Sequence, residues 1–140
     1  MNHLIKQHGL FLSDRAMEQL AIQRKELLLE TGRIEFGEGI LTKLIARFCD
    51  SPYMNQIEYE ETLFALQELF YNYKNECQEL LSDDELVDAM YLIYNDLSCG
   101  STEYLYDISW EDMYRIGTTG SLEGTGLQRS PMVTVLYDEE

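Results

Sequence analysis

The chain has 140 residues, 45% of them hydrophobic and 11% aromatic, and a formal charge of −16. That length and apolar content suit one domain with a core of its own and argue against wholesale disorder. The charge excludes a basic groove for DNA or RNA phosphates, whose binding depends on cations displacing counterions, and it disfavours anionic membrane surfaces.

The charge is unevenly placed. Residues 1–50 carry seven Lys/Arg and seven Asp/Glu, whereas residues 51–140 carry Lys74, Arg115 and Arg129 against nineteen Asp/Glu and hold all ten tyrosines. Such asymmetry speaks to partners and association kinetics rather than to fold. No apolar run approaches the roughly 20 residues that cross a bilayer, and Met1–Gly9 lacks a secretory-signal pattern. Cys49, Cys77 and Cys99 are odd in number and far apart, which reads as free thiols in a reducing cytoplasm.

In chain order the pattern is all-α: a single compact bundle of five to six helices over residues 1–117, followed by a flexible glycine-rich linker and tail at 118–140. Ser13 caps a first helix whose apolar positions Met17, Leu20, Ala21, Leu27 and Leu28 keep helical spacing up to the stop at Gly32. Arg33–Phe36 alternates and reads as a short extended piece. A second helix runs from Glu38 to Asp50, with a wide apolar face of Ile40, Leu41, Leu44, Ile45, Phe48 and Cys49, and Ser51-Pro52 ends it.

Asn55 and Glu58 then resemble a capping box, with Met54 placed to staple Tyr59. The helix they open has apolar residues at 59, 63, 66, 70, 73, 77 and 80. Over residues 55–80 it would be about 37 Å long and form the central helix of the fold, or alternatively a coiled-coil seam for a homodimer. Ser82 and Glu85 make a clean capping box, and Leu86, Val87, Met90, Ile93, Tyr94 and Leu97 supply a fourth buried face closed by Gly100. Two short helices follow, one after Ser101 and one at 110–116 capped by Ser109, with Gly117 as the end of the compact part. Met132–Tyr137 is rich in strand formers. It is free to pair with residues 34–36, to add to a partner's sheet edge, or to stay unpaired.

The stretches GRIEFGEGILTKLIARFCDSPY (Gly32–Tyr53) and SDDELVDAMYLIYNDLSCGSTEYL (Ser82–Leu105) resemble a family of small acidic bacterial proteins of unknown function, over roughly residues 10–117. The resemblance implies a bacterial, cytoplasmic origin and brings no activity or cofactor with it.

Catalytic and cofactor motifs are absent from the pattern. Gly32, Gly37 and Gly39 lack the Gly-Lys-Ser/Thr of a phosphate loop, and Glu35 and Glu38 would repel phosphate. His3 and His8 are not spaced as zinc ligands, no two cysteines are close, and Asp83-Asp84-Glu85 with Asp88 lacks the glycine and spacing of a calcium loop. Cys99 is the thiol best placed to be accessible. The reading therefore leans away from an enzyme and expects no cofactor and no metal.

Tyr59, Tyr73 and Tyr94 fall on core stripes, whereas Tyr91 aligns with Asp84 and Asp88 on an outer face. The candidate partner-binding residues are Glu61, Phe64, Glu68, Tyr71, Glu79, Asp88 and Tyr91, aromatics fringed by acids in the layout of a protein interface. For Phe64 and Tyr71 the alternative is contact with a neighbouring helix of the same chain. The function expected is a small acidic protein-interaction module, binding a protein partner or itself. The alternative is a nucleic-acid mimic that blocks a DNA-binding protein, which requires an ordered double row of carboxylates.

Overall fold

Four serines set the helix starts. Ser13, Ser82, Ser101 and Ser109 each accept a hydrogen bond from the backbone N–H three residues on, those of Ala16, Glu85, Tyr104 and Asp112. Each thereby satisfies a first-turn donor that the helix itself leaves without a partner. Glu85 closes the box at Ser82 by accepting from the Ser82 N–H at 2.9 Å. In the computed structural model, which describes residues 6–7, 10–32, 40–77 and 80–122, the helices are α1 (Asp14–Thr31), α2 (Leu41–Phe48), α3 (Tyr59–Glu76), α4 (Asp83–Leu92), α5 (Thr102–Tyr106) and α6 (Trp110–Thr119). The fold is the all-α bundle expected. The expected strands at 33–36 and 132–137 lie outside the described residues.

One small β element was not anticipated. Lys6–Gln7 (β1) pairs antiparallel with Leu10–Phe11 (β2). The side-chain amide of Gln56 engages both backbone groups of Phe11: its Oε1 accepts from the Phe11 N–H at 2.6 Å and its Nε2 donates to the Phe11 carbonyl at 2.7 Å. Gln56 thus presents to β2 the donor and acceptor that a neighbouring strand would.

α3 lies at the centre, touching α1, α2, α4, α5 and α6. It spans 18 residues, about 27 Å, and not the 55–80 expected. Asn55 and Glu58 stand just ahead of this start. Their side chains bond each other (3.2 Å), and the Asn55 Oδ1 takes the Glu58 N–H. The box therefore closes a turn ahead of the helix. The last helix also differs: it continues through Gly117 to Thr119 and ends at Gly120, which adopts the left-handed conformation. Gly117 is a packing residue, because a Cβ there would stand 2.7 Å from the Leu81 side chain.

Two helix pairs run parallel, as the constant offsets of their hydrogen bonds require. Ser13–Glu60, Leu20–Gln67 and Arg24–Tyr71 join α1 to α3 with an offset of 47. Lys43–Asp84, Arg47–Asp88 and Asp50–Tyr91 join α2 to α4 with an offset of 41. After Leu92 the helix widens into a π turn, Ile93–Leu97, with the Ser98 N–H bonded to the Ile93 carbonyl. The wider turn brings Ile93, Tyr94, Leu97 and Ser98 all to the buried side. Gly100 then reverses the chain at φ +94° against Tyr53.

Two predictions concern this frame. Gly100→Ala combines a disfavoured φ with a Cβ 2.6 Å from the Tyr53 Cβ, a stem atom that cannot rotate away, and should cost about 2–4 kcal/mol. Gly32→Ala meets open space and should cost about 1–2 kcal/mol; equal losses in denaturant titration would refute the close approach. The second prediction concerns alkaline pH. Burial, with the Cys49 thiol nearby, pushes Tyr59 up to about 12, and burial, with Glu58 nearby, does the same for Tyr94. Unfolded phenols ionise near pH 10, so between about 10 and 12 the unfolded chain has lost protons that the folded chain keeps. Stability is complete below that window and falls as pH rises through it. The Tyr59 hydroxyl is buried without a hydrogen-bond partner among the described residues. Tyr59→Phe should therefore leave stability at neutral pH equal or higher, and flatten its fall above about pH 10. A steeper fall in chemical denaturation would contradict this account.

Candidate functional site

The side chains with the most elaborate polar geometry lie along the seam between α2 and α4. Lys43 Nζ meets Asp84 Oδ1 at 2.6 Å, and Arg47 Nε meets Asp88 Oδ1 at 2.8 Å. The Arg47 guanidinium carbon also stands 4.0 Å from the centroid of the Tyr91 ring. Tyr91 donates its hydroxyl to Asp50 at 2.8 Å and also bonds Asn95, whose Oδ1 accepts from the Ser51 hydroxyl at 2.6 Å. Phe48 packs its edge against both Tyr91 and Tyr94, at 5.2 and 5.3 Å between ring centroids.

The electrostatics follow the geometry. Burial and then the hydrogen bond to Asp50 raise the Tyr91 phenol above its ordinary value. The hydrogen bond to Asp84 raises the Lys43 ammonium. Both groups keep their protons at neutral pH, and these contacts bind α2 to α4. Asp88 and Tyr91, expected as a partner surface, are engaged by Arg47 and Asp50 of their own chain, with the Asp88 side chain still 58% exposed.

The other expected site residues scatter. Tyr71 is fully buried, which corrects its assignment to a partner surface: α1 packs across that side of α3, and Arg24 Nε reaches the Tyr71 hydroxyl at 3.4 Å. Glu68 accepts a hydrogen bond from the Tyr106 hydroxyl. Phe64 is half-buried against the core, with its carbonyl taken by Gln23. Glu61 is exposed, and Glu79 lies outside the described residues. Phe64, Tyr71 and Tyr91 therefore form no common patch.

Cys49 and Cys77 are buried free thiols, held above the ordinary thiol value first by burial, so they are poor nucleophiles. Cys99 is a half-exposed free thiol. Among the described residues no three His, Cys, Asp or Glu side chains come together to hold a metal, and none of their helices is long and apolar enough to cross a membrane.

The aromatic residues at the surface are elsewhere. Tyr106, Trp110 and Tyr114 are 44, 38 and 36% exposed. Trp110 and Tyr114, four apart on α6, share one helix face. The Cys77 thiol reaches the Trp110 carbonyl, and Leu81 packs on Gly117, so exposed Leu80 lies in a stretch whose ends both touch α6. A sequence signal existed for this row. Glu103, Asp107 and Glu111 each precede one of these aromatics by three residues.

A double-mutant cycle tests the seam. Arg47→Ala and Tyr91→Ala should couple by about 0.5–1 kcal/mol in urea titrations, the size of a cation–π contact at an exposed site. Additive effects would mean that the stack contributes nothing.

No curated protein and no solved structure matches the chain. A profile described as a family of unknown function (DUF6323) matches residues 1–120. On that match over most of its length, the chain belongs to the family of unknown function DUF6323.

Proposed function

We propose that this protein is an interaction module that holds a protein partner on the aromatic, acid-fringed face of α5 and α6. The observation that carries the reading is the exposure of Trp110 and Tyr114 on one face of α6, with Tyr106 at the end of α5. Aromatics of this kind anchor interfaces because their large rigid rings lose little conformational entropy on contact. Glu103, Asp107, Glu111 and Asp112 neighbour them in sequence, a composition suited to a polar rim. Glu61 and Phe64, on α3, stand on a different helix and are not assigned to this face. The free thiols fit a reducing cytoplasm.

Mimicry of nucleic acid draws less support. Glu60, Glu68, Asp83, Asp84, Glu85 and Asp88 each bond a side chain or backbone group of their own chain. Those acids serve separate local contacts.

Affinity capture from the protein's own cells, wild type beside two variants, tests the reading. Tyr106→Ala combined with Trp110→Ala and Tyr114→Ala should lose a partner that Glu61→Ala with Phe64→Ala retains. Circular dichroism confirms that each variant folds. A partner retained by the triple variant, or recovery of this chain alone, would overturn the placement.

A further inference from the structure

The contact among Arg47, Asp88 and Tyr91 supplies a template. Asp88 and Tyr91 are three residues apart on α4, and between them they hold one arginine: a carboxylate oxygen takes its Nε at 2.8 Å while the guanidinium lies over the ring, 4.0 Å from the centroid. Residues three apart on a helix are surface neighbours, so any acid-x-x-aromatic pair on a helix face presents the same two groups at the same separation. Arginine suits such a cradle better than lysine does, because its planar, weakly hydrated guanidinium stacks and donates in fixed directions.

The same spacing recurs on the two C-terminal helices. Glu111 and Tyr114 repeat it within α6, and Glu103 and Tyr106 repeat it within α5. Asp107 and Trp110 repeat it in sequence across the junction between these helices. Tyr106 gives its hydroxyl to Glu68, yet the residue remains 44% exposed. Arg115, on the same helix, has an interaction of its own. Residues 51–140 otherwise hold two cations, Arg129 and Lys74, of which Lys74 is buried, against nineteen acids. The field at this face therefore attracts positive charge.

We propose that the α5–α6 face binds an arginine-bearing basic segment of another protein, with arginine side chains seated on Glu111–Tyr114 and Glu103–Tyr106 as Arg47 is seated on Asp88–Tyr91. This rests on the interaction reading above and names the partner's chemistry.

Trp110 is the sole tryptophan and reports on this face by its fluorescence in the full-length protein. Titration with an oligo-arginine peptide should give a saturable change, and an oligo-lysine peptide of equal length should bind about fivefold or more weakly. Affinity for oligo-arginine should fall as salt rises. Glu111→Gln with Tyr114→Ala should weaken it about fivefold or more; Tyr114→Phe, which keeps the ring, should restore most of the loss. Glu61→Gln, the same loss of charge on α3, should change it less than about twofold, which separates a cradle from diffuse attraction.

Equal affinity for the two peptides, or equal effects of Glu111→Gln and Glu61→Gln, would overturn the inference. A partner captured through Trp110 and Tyr114 by a protein that ignores oligo-arginine would overturn the inference alone and leave the interaction reading standing.

Discussion

The rest of the structure depends on the burial of α3. It is covered on most sides, and a buried polar group without a bond costs about 1–3 kcal/mol, so each polar atom on its covered faces fixes a neighbour. The Gln67 amide donates to the Leu20 carbonyl and to Gln23, setting the register of α1. The Tyr73 hydroxyl lies within bonding reach of the Leu105 and Ile108 carbonyls, placing the turn between α5 and α6. Lys74, almost fully buried, donates to the Leu81 carbonyl and pairs with Asp83 at 2.9 Å, which fixes where α4 begins. With α4 placed, the rungs Lys43–Asp84, Arg47–Asp88 and Asp50–Tyr91 form in register.

This arrangement offsets a small part of the charge imbalance. The net-neutral first part of the chain lends Lys43 and Arg47 to acids of the second, and Asp83 receives the buried ammonium of Lys74. The acids of α5 and α6 have fewer cations within reach in sequence. Three of the five exposed aromatics among the described residues lie on the C-terminal helices, Phe11 and Tyr53 being the others, whereas on α3 and α4 the tyrosines face inward or along the seam.

Local features were legible in the sequence because their causes are local. Each serine cap and the Ser82–Glu85 box needs only residues within one turn, and helical periodicity marked the core side of α4. Boundaries and surfaces were harder. Asn55 and Glu58 have the right spacing for a box, yet their side chains satisfy each other, and no pattern reveals that. Tyr71 looked like the edge of an apolar face, but burial on a central helix depends on what packs from the far side, and α1 does. Gly117 read as a stop, whereas the close approach of Leu81 is what excludes a side chain there. Asp88 and Tyr91 were placed on the correct outer face; what occupies them is Arg47, 41 residues away from Asp88 in sequence. The row at 106, 110 and 114 was visible as a repeat, but its exposure depended on how α5 and α6 lie against α3.

The clasp of Gln56 on Phe11 bears on how the short strand meets solvent. An uncovered strand edge is a template on which a second chain can grow a sheet, and Phe11 and Ile57, both exposed, would add apolar area to that contact. Because one glutamine amide already engages the Phe11 N–H and carbonyl, an incoming strand gains those two bonds only by displacing two others. Gln56 thereby closes part of an edge of the only sheet among the described residues of an otherwise helical fold.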